Sequence, residues 1–258
     1  MDQHALVNRQ FWDEIAPHHA ASDFYAVRKF VGGRDTLGEI ELAEVGDVAG
    51  KQLVHLQCHI GLDTLSWVRR GADVTGVDFS AESLRIAREL AAQTGLPARF
   101  VESDVVAAPE LLDRTYDVVF TSRGVLMWLG DLHAWATACV RFMRPGGVFY
   151  LLDIHPLAMA VVEVDGGLSL RSSYFGNVEP AITNDDGSYA VRDVGLTNSE
   201  TYEWIHPVGD VVSALVRAGI TVEFLHEFPA DEPHPSIHNR DRTDNPQLPG
   251  LFSVRGHL

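Results

Sequence analysis

Cysteine, basic side chains and long apolar runs are all scarce in this sequence of 258 residues. Its two cysteines, Cys58 and Cys139, form no CxxC pair, a pattern typical of reduced thiols in a reducing compartment. The N-terminus lacks a basic segment followed by an apolar stretch, so we expect no secretory signal. No apolar run reaches the ~20 residues that a membrane helix needs. We therefore expect a soluble, cytoplasmic protein without a membrane partner.

The charge balance limits the choice of partners further. Asp and Glu number 36 against 20 Lys and Arg, which gives a formal net charge of -16. Such a field repels phosphate backbones and anionic lipid headgroups, so we expect no nucleic-acid substrate. With 46% hydrophobic residues the chain has enough apolar surface for a packed core.

Short apolar runs alternate with helical patterns through the middle of the chain. The runs are KQLVHL, VTGVDFS, ARFVESD, YDVVFTS and VFYLLDI. Helices are predicted after the first, second and fourth runs, and the last of these helices is expected to end at Arg144-Pro145-Gly146-Gly147. Strands that are apolar on both faces and alternate with helices predict a doubly wound, Rossmann-like α/β fold with a parallel sheet.

The remaining segments lack this rhythm. Residues 1–45 contain FWDEIA and FYAVRKFV, which predict short helices in an N-terminal helical cap segment. Residues 46–258 form the predicted main domain, with 156–207 as an insertion on the substrate side, where SLRSSYF and ETYEW are candidate strands. A proline-rich loop at 229–249 precedes the last strand and is long enough to suggest a functional role.

Residues that directly follow strands are the first candidates for a ligand site, because ligands of such sheets bind at the carboxyl ends of the strands. These candidates are His55, Gln57, Cys58, His59 and Gly61 after the first strand, Asp78, Phe79 and Ser80 after the second, Asp104 and Val105 after the third, and Ser122 after the fourth. Asp78 is placed to accept hydrogen bonds from a ribose diol. Asp104 is placed to accept one from an adenine amino group. Alternatively, Asp78 could be an exposed acid that interacts favourably with the dipole of the following helix, and Asp104 could cap the following turn.

The first of these loops discriminates between cofactors. A dinucleotide requires a GxGxxG loop so that the backbone can approach the pyrophosphate, whereas this loop keeps one glycine, Gly61. NAD and FAD are therefore disfavoured. S-adenosylmethionine has no phosphate, and its adenosine suits acids at two strand ends.

At this point a family resemblance is plain. KQLVHLQCHIGLDTL, VTGVDFS, ESDV, YDVVFTS and RPGGVFYLLDIHP resemble the motif series of class I S-adenosylmethionine-dependent methyltransferases of the small-molecule subgroup. The resemblance covers about residues 50–155 well and the last helix and strands more loosely. It implies a seven-stranded, mostly parallel sheet closed by a reversed C-terminal hairpin.

The first motif departs from the family pattern Asp/Glu-x-Gly-x-Gly-x-Gly. His55 replaces the acid, and Gln57 and His59 replace the first two glycines. The resemblance implies that Gln57, His59 and Gly61 line the methionine tail of the cofactor. His55 and His59 would need further ligands to bind a metal, and we identify no such ligands, so we expect no metal site.

Other side chains are candidates for cofactor stacking and for catalysis. Trp12 and Tyr25 could stack on adenine or face the sulfonium, although each could equally belong to the core. Methyl transfer depends mainly on proximity and orientation, and a base is needed only for a protonated acceptor. His155 and His206 are the candidate bases, and the alternative is that both are turn residues before proline.

These observations predict a methyltransferase that acts on a nitrogen, oxygen or carbon atom of a small molecule. A homodimer is compatible with the sequence. Two alternatives remain: an NAD(P)-dependent oxidoreductase on the same sheet, and a non-catalytic regulatory protein, which the loss of glycines in the first loop suggests.

Overall fold

A computed structural model of the chain describes residues 1–165, 167–176, 179–230 and 248–258. Most of the predicted proline-rich loop at 229–249, namely residues 231–247, lies outside these ranges. No helix in the described ranges is long and apolar enough to cross a membrane.

The centre of the protein is a sheet of seven strands. The strands are β1 (Gln52–Leu56), β2 (Asp73–Asp78), β3 (Ala98–Glu102), β4 (Tyr116–Ser122), β5 (Met143–Ile154), β10 (Thr221–Pro229) and β11 (Pro249–His257). Their order across the sheet is β10-β11-β5-β4-β1-β2-β3. Strands β1 to β5 pair in parallel, whereas β11 is antiparallel to both β5 and β10. The predicted Rossmann-like sheet with a reversed C-terminal hairpin is confirmed.

Helices cover both faces of this sheet. They are α1 (Gln3–Ala21), α2 (Val27–Val31), α3 (Glu39–Val45), α4 (Leu62–Arg69), α5 (Ala81–Thr94), α6 (Ala108–Leu112), α7 (Leu132–Phe142), α8 (Pro156–Ala160) and α9 (Val208–Ala218), with a 3₁₀ turn at Leu126–Trp128. Along β1, Leu53 belongs to one apolar cluster with Trp67, whereas Val54 and Leu56 belong to another with Trp135. Because side chains alternate across a strand, these clusters lie on opposite faces of the sheet.

The local sequence explains where the helices begin and end. Helix α5 is capped at its N-terminus by Ser80, whose hydroxyl accepts a hydrogen bond from the Ser83 amide at 3.0 Å, and at its C-terminus by Gly95 in a left-handed conformation. Helix α7 is capped at its N-terminus by Asp131, whose carboxylate accepts hydrogen bonds from two backbone amides. These caps satisfy backbone amides at the beginning of each helix.

Strand β5 begins earlier than predicted, and the prediction that α7 ends at residues 144–147 was wrong. Helix α7 ends at Phe142, and Met143 already pairs with Tyr116 of β4. A β-carbon on Gly147 would lie 3.0 Å from the Tyr116 carbonyl oxygen. The glycine therefore allows the backbones of β4 and β5 to approach closely. The Pro-Gly-Gly segment forms the irregular beginning of β5.

The N-terminal segment also differs from the prediction of short helices. FWDEIA lies within one helix of 19 residues, α1, whereas only residues 27–31 of the second motif are helical in α2. Helix α1 packs against α5 and against strand β9 of the insertion. The Asn8 side chain pairs with the backbone of Tyr202 through both its amide nitrogen and its oxygen, at 2.9 and 2.8 Å.

Two small hairpins follow β5. They consist of β6 (Val161–Val164) with β7 (Gly167–Leu170) and β8 (Ala181–Asn184) with β9 (Glu200–Glu203). ETYEW supplies β9 as predicted, but only the first two residues of SLRSSYF belong to a strand. The division into 1–45, 46–258 and the 156–207 insertion stays a prediction.

Candidate functional site

Strand β1 lies between β2 and β4, so the chain winds outward in both directions from this point of the sheet. A crevice opens at such a switch point beyond the carboxyl ends of the strands. Here it is a cavity of about 620 Å³, lined by residues of α1, the strand ends and the insertion. Its volume lies within the usual range for small-molecule sites.

The loop between β1 and α4 has an unusual backbone. Gln57, His59 and Gly61 have φ values of +56°, +49° and +76°. Left-handed conformations are uncommon outside glycine, yet two of these three residues carry side chains. A β-carbon on Gly61 would lie 2.8 Å from that of Ala87 and 2.9 Å from the Phe100 ring, so only this position excludes a side chain sterically. The loop thus has a glycine-type conformation at Gln57 and His59 although both residues carry side chains.

Asp78 holds this loop in place from the end of β2. Its carboxylate accepts hydrogen bonds from the backbone amides of His59, at 2.7 Å, and Ser80, at 2.9 Å. The pKa of Asp78 is raised to about 6, because burial and, to a smaller extent, the nearby Asp13 raise it more than the two amides lower it. The carboxylate also lines the cavity, where its remaining lone pairs could accept a hydroxyl.

The third strand end contributes Asp104 and Val105, which both line the cavity. The Asp104 carboxylate accepts a hydrogen bond from the Val106 amide at 2.8 Å. This is the turn-capping role that the sequence left open as an alternative. Since a carboxylate oxygen has more than one lone pair, capping leaves Asp104 able to accept a ligand hydrogen bond.

A chain of polar side chains joins the β1–α4 loop to helix α1 and to the insertion. The His59 ring lies 3.0 Å from the Ser83 hydroxyl and 2.9 Å from the His19 ring, and the second nitrogen of His19 lies 2.6 Å from the Ser188 hydroxyl. We call these four residues the histidine chain. Burial lowers the pKa of His59 to about 3 and the pKa of His19 well below its usual value, so both rings are neutral.

Aromatic rings surround the histidine chain. Trp12 lies 5.0 Å and Tyr25 lies 5.3 Å from the His59 ring, measured between centroids. The Tyr25 hydroxyl is hydrogen-bonded to that of Tyr189 in the insertion. Both predicted aromatic residues therefore line the cavity. His19, Ser188 and Tyr189 were not predicted, because no local pattern connects them with the loop.

Polar residues occupy the cavity floor between β1 and β4. His55 is buried, with its ring nitrogens 2.9 Å from the Thr64 hydroxyl and 3.2 Å from the Ser122 hydroxyl. Burial lowers the pKa of His55 to about 3, so this ring is neutral too. Asp63, in the first turn of α4, accepts hydrogen bonds from Thr36 at 2.6 Å and Ser122 at 3.5 Å. Asp63 was not among the residues predicted from the sequence.

The other predicted cofactor residues divide into two groups. Cys58 and Phe79 line the cavity. Ser80 instead caps α5 and donates to Asp13 at 2.7 Å, so it acts on the site only through its neighbours. Across the described ranges, no three His, Cys, Asp or Glu side chains are grouped to hold a metal ion.

The two predicted bases lie outside the lining of the 620 Å³ cavity. His155 caps α8 and contacts Glu227 at 2.8 Å, whereas His206 donates to the Leu129 carbonyl at 2.7 Å. Burial lowers the pKa of both rings. The structure gives both residues partners within the fold, and their catalytic role stays a prediction.

The insertion contributes a carboxyl group to the opposite wall of the cavity. Glu203 in β9 accepts hydrogen bonds from Thr183 at 3.2 Å and Thr201 at 3.3 Å. Burial raises the pKa of Glu203, and the nearby Asp185 raises it further. Both threonines and Glu203 line the cavity, so this wall offers a half-buried acid and two hydroxyls to a second ligand.

The segment that matches known proteins includes the strand-end residues of this site. Residues 54–147 match the family model described as a methyltransferase domain. The chain is 36% identical over 114 residues to the ubiquinone biosynthesis O-methyltransferase of Photorhabdus laumondii, covering 44% of this chain and 47% of that protein. The chain thus spans about half the length of the curated relatives it matches.

Solved structures share the fold over a larger part of the chain. An S-adenosylmethionine-dependent methyltransferase from Mesorhizobium loti has a TM-score of 0.61 at 20% identity, covering 88% of this chain and 100% of that one. The glycopeptide N-methyltransferase MtfA, complexed with S-adenosyl-L-methionine, has a TM-score of 0.59 at 18% identity, covering 88% and 95%. At these identities the likeness concerns the fold.

Proposed function

We propose that this chain is a class I, S-adenosylmethionine-dependent methyltransferase that transfers the methyl group of S-adenosylmethionine to a nitrogen, oxygen or carbon atom of a small molecule. The match of residues 54–147 to a methyltransferase domain supports this proposal. The observation that carries the proposal is the hydrogen bond from the His59 amide to the buried carboxylate of Asp78, a contact that we call the Asp78 clamp. This contact fixes the left-handed backbone of the β1–α4 loop at the switch point of the sheet.

The residues of the cavity fit this cofactor. Asp104, Asp78 and the 57–61 loop follow neighbouring strands in the order β3, β2 and β1. Strands lie about 4.8 Å apart, so these ends offer successive positions for adenine, ribose and an amino-acid tail. The loop lacks the glycines that a pyrophosphate requires. When bound, S-adenosylmethionine supplies an electrophilic methyl group on a sulfonium, which needs no metal and no redox partner.

The protein's own contribution to such a transfer is orientation and the exclusion of water. Trp12, Tyr25 and Trp128 line the cavity with aromatic surface that can face a cation. The acceptor would lie between the strand ends and the insertion wall, where Glu203 could take a proton from it. Holding both reactants in line provides most of the rate enhancement, and a base adds to it only for a protonated nucleophile.

The acceptor class rests on the relatives and on the size of the cavity. One relative is named for ubiquinone biosynthesis, and one solved structure is a glycopeptide N-methyltransferase. A cavity of about 620 Å³ can accommodate a cofactor together with part of a small acceptor. A net charge of -16 supports a small molecule over nucleic acid as substrate.

Compartment and assembly are further parts of the proposal. Both cysteines are buried and free, which is compatible with the cytoplasm. A homodimer is the assembly that we propose, and light scattering during size-exclusion chromatography would measure it directly.

Calorimetric titration tests the cofactor. We expect S-adenosylmethionine and S-adenosylhomocysteine to bind, and Asp78→Asn to weaken both by roughly 10- to 100-fold, the effect of losing a hydrogen bond to a charged group. Asp73→Asn is the matched control, since Asp73 is exposed at the opposite end of the same strand. Binding of NAD(P) instead would favour the oxidoreductase. Binding of none of these ligands would favour the regulatory protein.

A further inference from the structure

Asp63 is a carboxylate on the cavity floor that the proposed function has not used. It lies in the first turn of α4, lines the cavity, and accepts hydrogen bonds from two hydroxyl groups, those of Thr36 and Ser122. Among the ion pairs of the described residues, none includes Asp63. A carboxylate held by neutral donors in a cavity is costly unless a cation completes its environment.

The position of Asp63 in the fold indicates which part of the ligand it faces. Its partner Ser122 ends β4, the strand beside β1 on the side away from β2. Since Asp78 ends β2, Asp63 and Asp78 lie on opposite sides of the β1 end. Asp63, Asp78 and Tyr25 all line the same cavity, and both carboxylates contribute to raising the pKa of the Tyr25 phenol. A ligand whose ribose binds at Asp78 therefore extends its tail toward Asp63.

The tail of this cofactor ends in an ammonium and a carboxylate, so it needs a negative partner on this side. His55 cannot provide one, because it is neutral and its ring nitrogens contact Thr64 and Ser122. The Gln57 amide donates to the Val125 carbonyl and carries no charge. Among the floor residues that follow β1 and β4, Asp63 is the one with a carboxylate.

We propose that the Asp63 carboxylate binds the α-ammonium group of the methionine portion of S-adenosylmethionine, and that Thr36 and Ser122 orient it for this contact. This inference rests on the proposed function. It assigns the negative charge of the tail site to the first turn of α4, whereas the family pattern has its acid at the end of β1, where this chain has His55.

The test compares two ligands that differ in the tail. S-adenosylhomocysteine carries the amino-acid portion, whereas 5′-methylthioadenosine keeps the adenosine and the sulfur without it. In calorimetric titrations we expect Asp63→Asn to weaken S-adenosylhomocysteine by roughly 10- to 100-fold, as for loss of a charged hydrogen bond, and 5′-methylthioadenosine by less than about threefold. Thr36→Val should give a smaller loss with the same selectivity between the ligands.

Two controls separate this inference from the fold and from the proposed function. Retained binding of 5′-methylthioadenosine shows that the variant is folded, and Asp78→Asn should weaken both ligands because it acts on the ribose. Equal loss of both ligands in Asp63→Asn, or no loss of either, would overturn the role of Asp63 while leaving the cofactor assignment intact. If the unsubstituted protein bound neither ligand, the proposed function itself would fail, and this inference with it.

Discussion

The Nδ1 atom of His19 lies 2.9 Å from the Nε2 atom of His59, which joins helix α1 directly to the loop that Asp78 clamps. Both imidazoles are neutral, so one nitrogen of this pair donates and the other accepts. The outer nitrogens reach Ser83 and Ser188. One hydrogen-bonded path therefore connects α5, the β1–α4 loop, α1 and the insertion.

Breaking the outer end of this path should loosen the insertion. In Ser188→Ala, His19 loses its 2.6 Å partner while the loop keeps its clamp on Asp78. We expect faster amide hydrogen exchange in residues 185–192 and a loss of S-adenosylhomocysteine affinity of roughly threefold to tenfold. The exposed Ser172, in the same insertion, gives the control Ser172→Ala. Unchanged amide exchange in Ser188→Ala would show that the hydrogen bond between Ser188 and His19 does not restrain the insertion.

The single glycine of the β1–α4 loop should be far less replaceable than a glycine of similar backbone elsewhere. Gly61→Ala places a methyl group 2.8 Å from the Ala87 β-carbon at a φ of +76°. Gly95→Ala, at φ +67° with no atom within 4 Å, is the control for backbone strain alone. In denaturant melts we expect Gly61→Ala to lower the free energy of unfolding by about 2–4 kcal/mol and Gly95→Ala to lower it by about 1 kcal/mol. Equal losses would mean that the loop yields to the added methyl.

Cofactor affinity should depend on pH through two acids that line the cavity, Asp63 and Asp78. Burial raises the pKa values of Asp63 and Asp78 to about 6. A raised pKa means that each acid is largely protonated near pH 5 and ionised above about pH 7. Because an ammonium pairs with the ionised form, S-adenosylhomocysteine affinity should rise over this interval and then level off. The charged groups that act on Asp63 and on Asp78 are Asp35 and Asp13 respectively, and each raises the pKa of its neighbour.

Proton release measures this linkage. At about pH 6 the binding heat of the unsubstituted protein should vary with the ionisation enthalpy of the buffer, since ligand binding expels protons from these acids. In Asp63→Asn the S-adenosylhomocysteine affinity should depend less steeply on pH, and the number of protons released on binding should fall by up to one. An affinity that falls as the pH rises from about 5 to 7 would contradict the assigned sign.

The candidate bases can be separated by turnover once an acceptor is known. Glu203 lines the cavity, whereas His155 and His206 do not. For an acceptor that must lose a proton, we expect Glu203→Gln to lower kcat by roughly 10²- to 10⁴-fold at saturating acceptor. Glu200→Gln, in the same strand but outside the cavity lining, is the matched control. The sequence-based hypothesis gives the opposite pattern, with kcat lost in His155→Ala or His206→Ala and retained in Glu203→Gln.

The sheet could be predicted from the sequence because its signals are local. Apolar runs of five to seven residues mark strands such as β1, β2 and β4, and Asp78 stands directly at the end of one of them. A parallel sheet brings such ends to one edge whatever the helices between them contain. For this reason the sequence alone predicts Asp78 and Asp104 at this edge of the sheet, where both line the cavity.

Contacts between distant segments could not be predicted in this way. His19 and Ser188 are 169 residues apart in the chain, and neither stands at a strand end. Asp63 lies in the first turn of a helix, where an acid is also explained by the helix dipole. The length of α1 was missed because its apolar periodicity is weak, so its buried face is defined by its contacts with α5 and β9.

The joined path from the strand edge through α1 to the insertion has a consequence for the order of events in turnover. The clamped loop and Asp78 belong to the sheet edge, whereas Thr183 and Glu203 belong to the hairpin that packs on α1. The nucleoside would thus bind at the sheet edge, and the acceptor would bind beside the hairpin of β8 and β9. Steady-state kinetics should follow a compulsory sequence in which the methyl donor enters first and its demethylated product leaves last. Product inhibition by S-adenosylhomocysteine would then be competitive toward the donor and noncompetitive toward the acceptor.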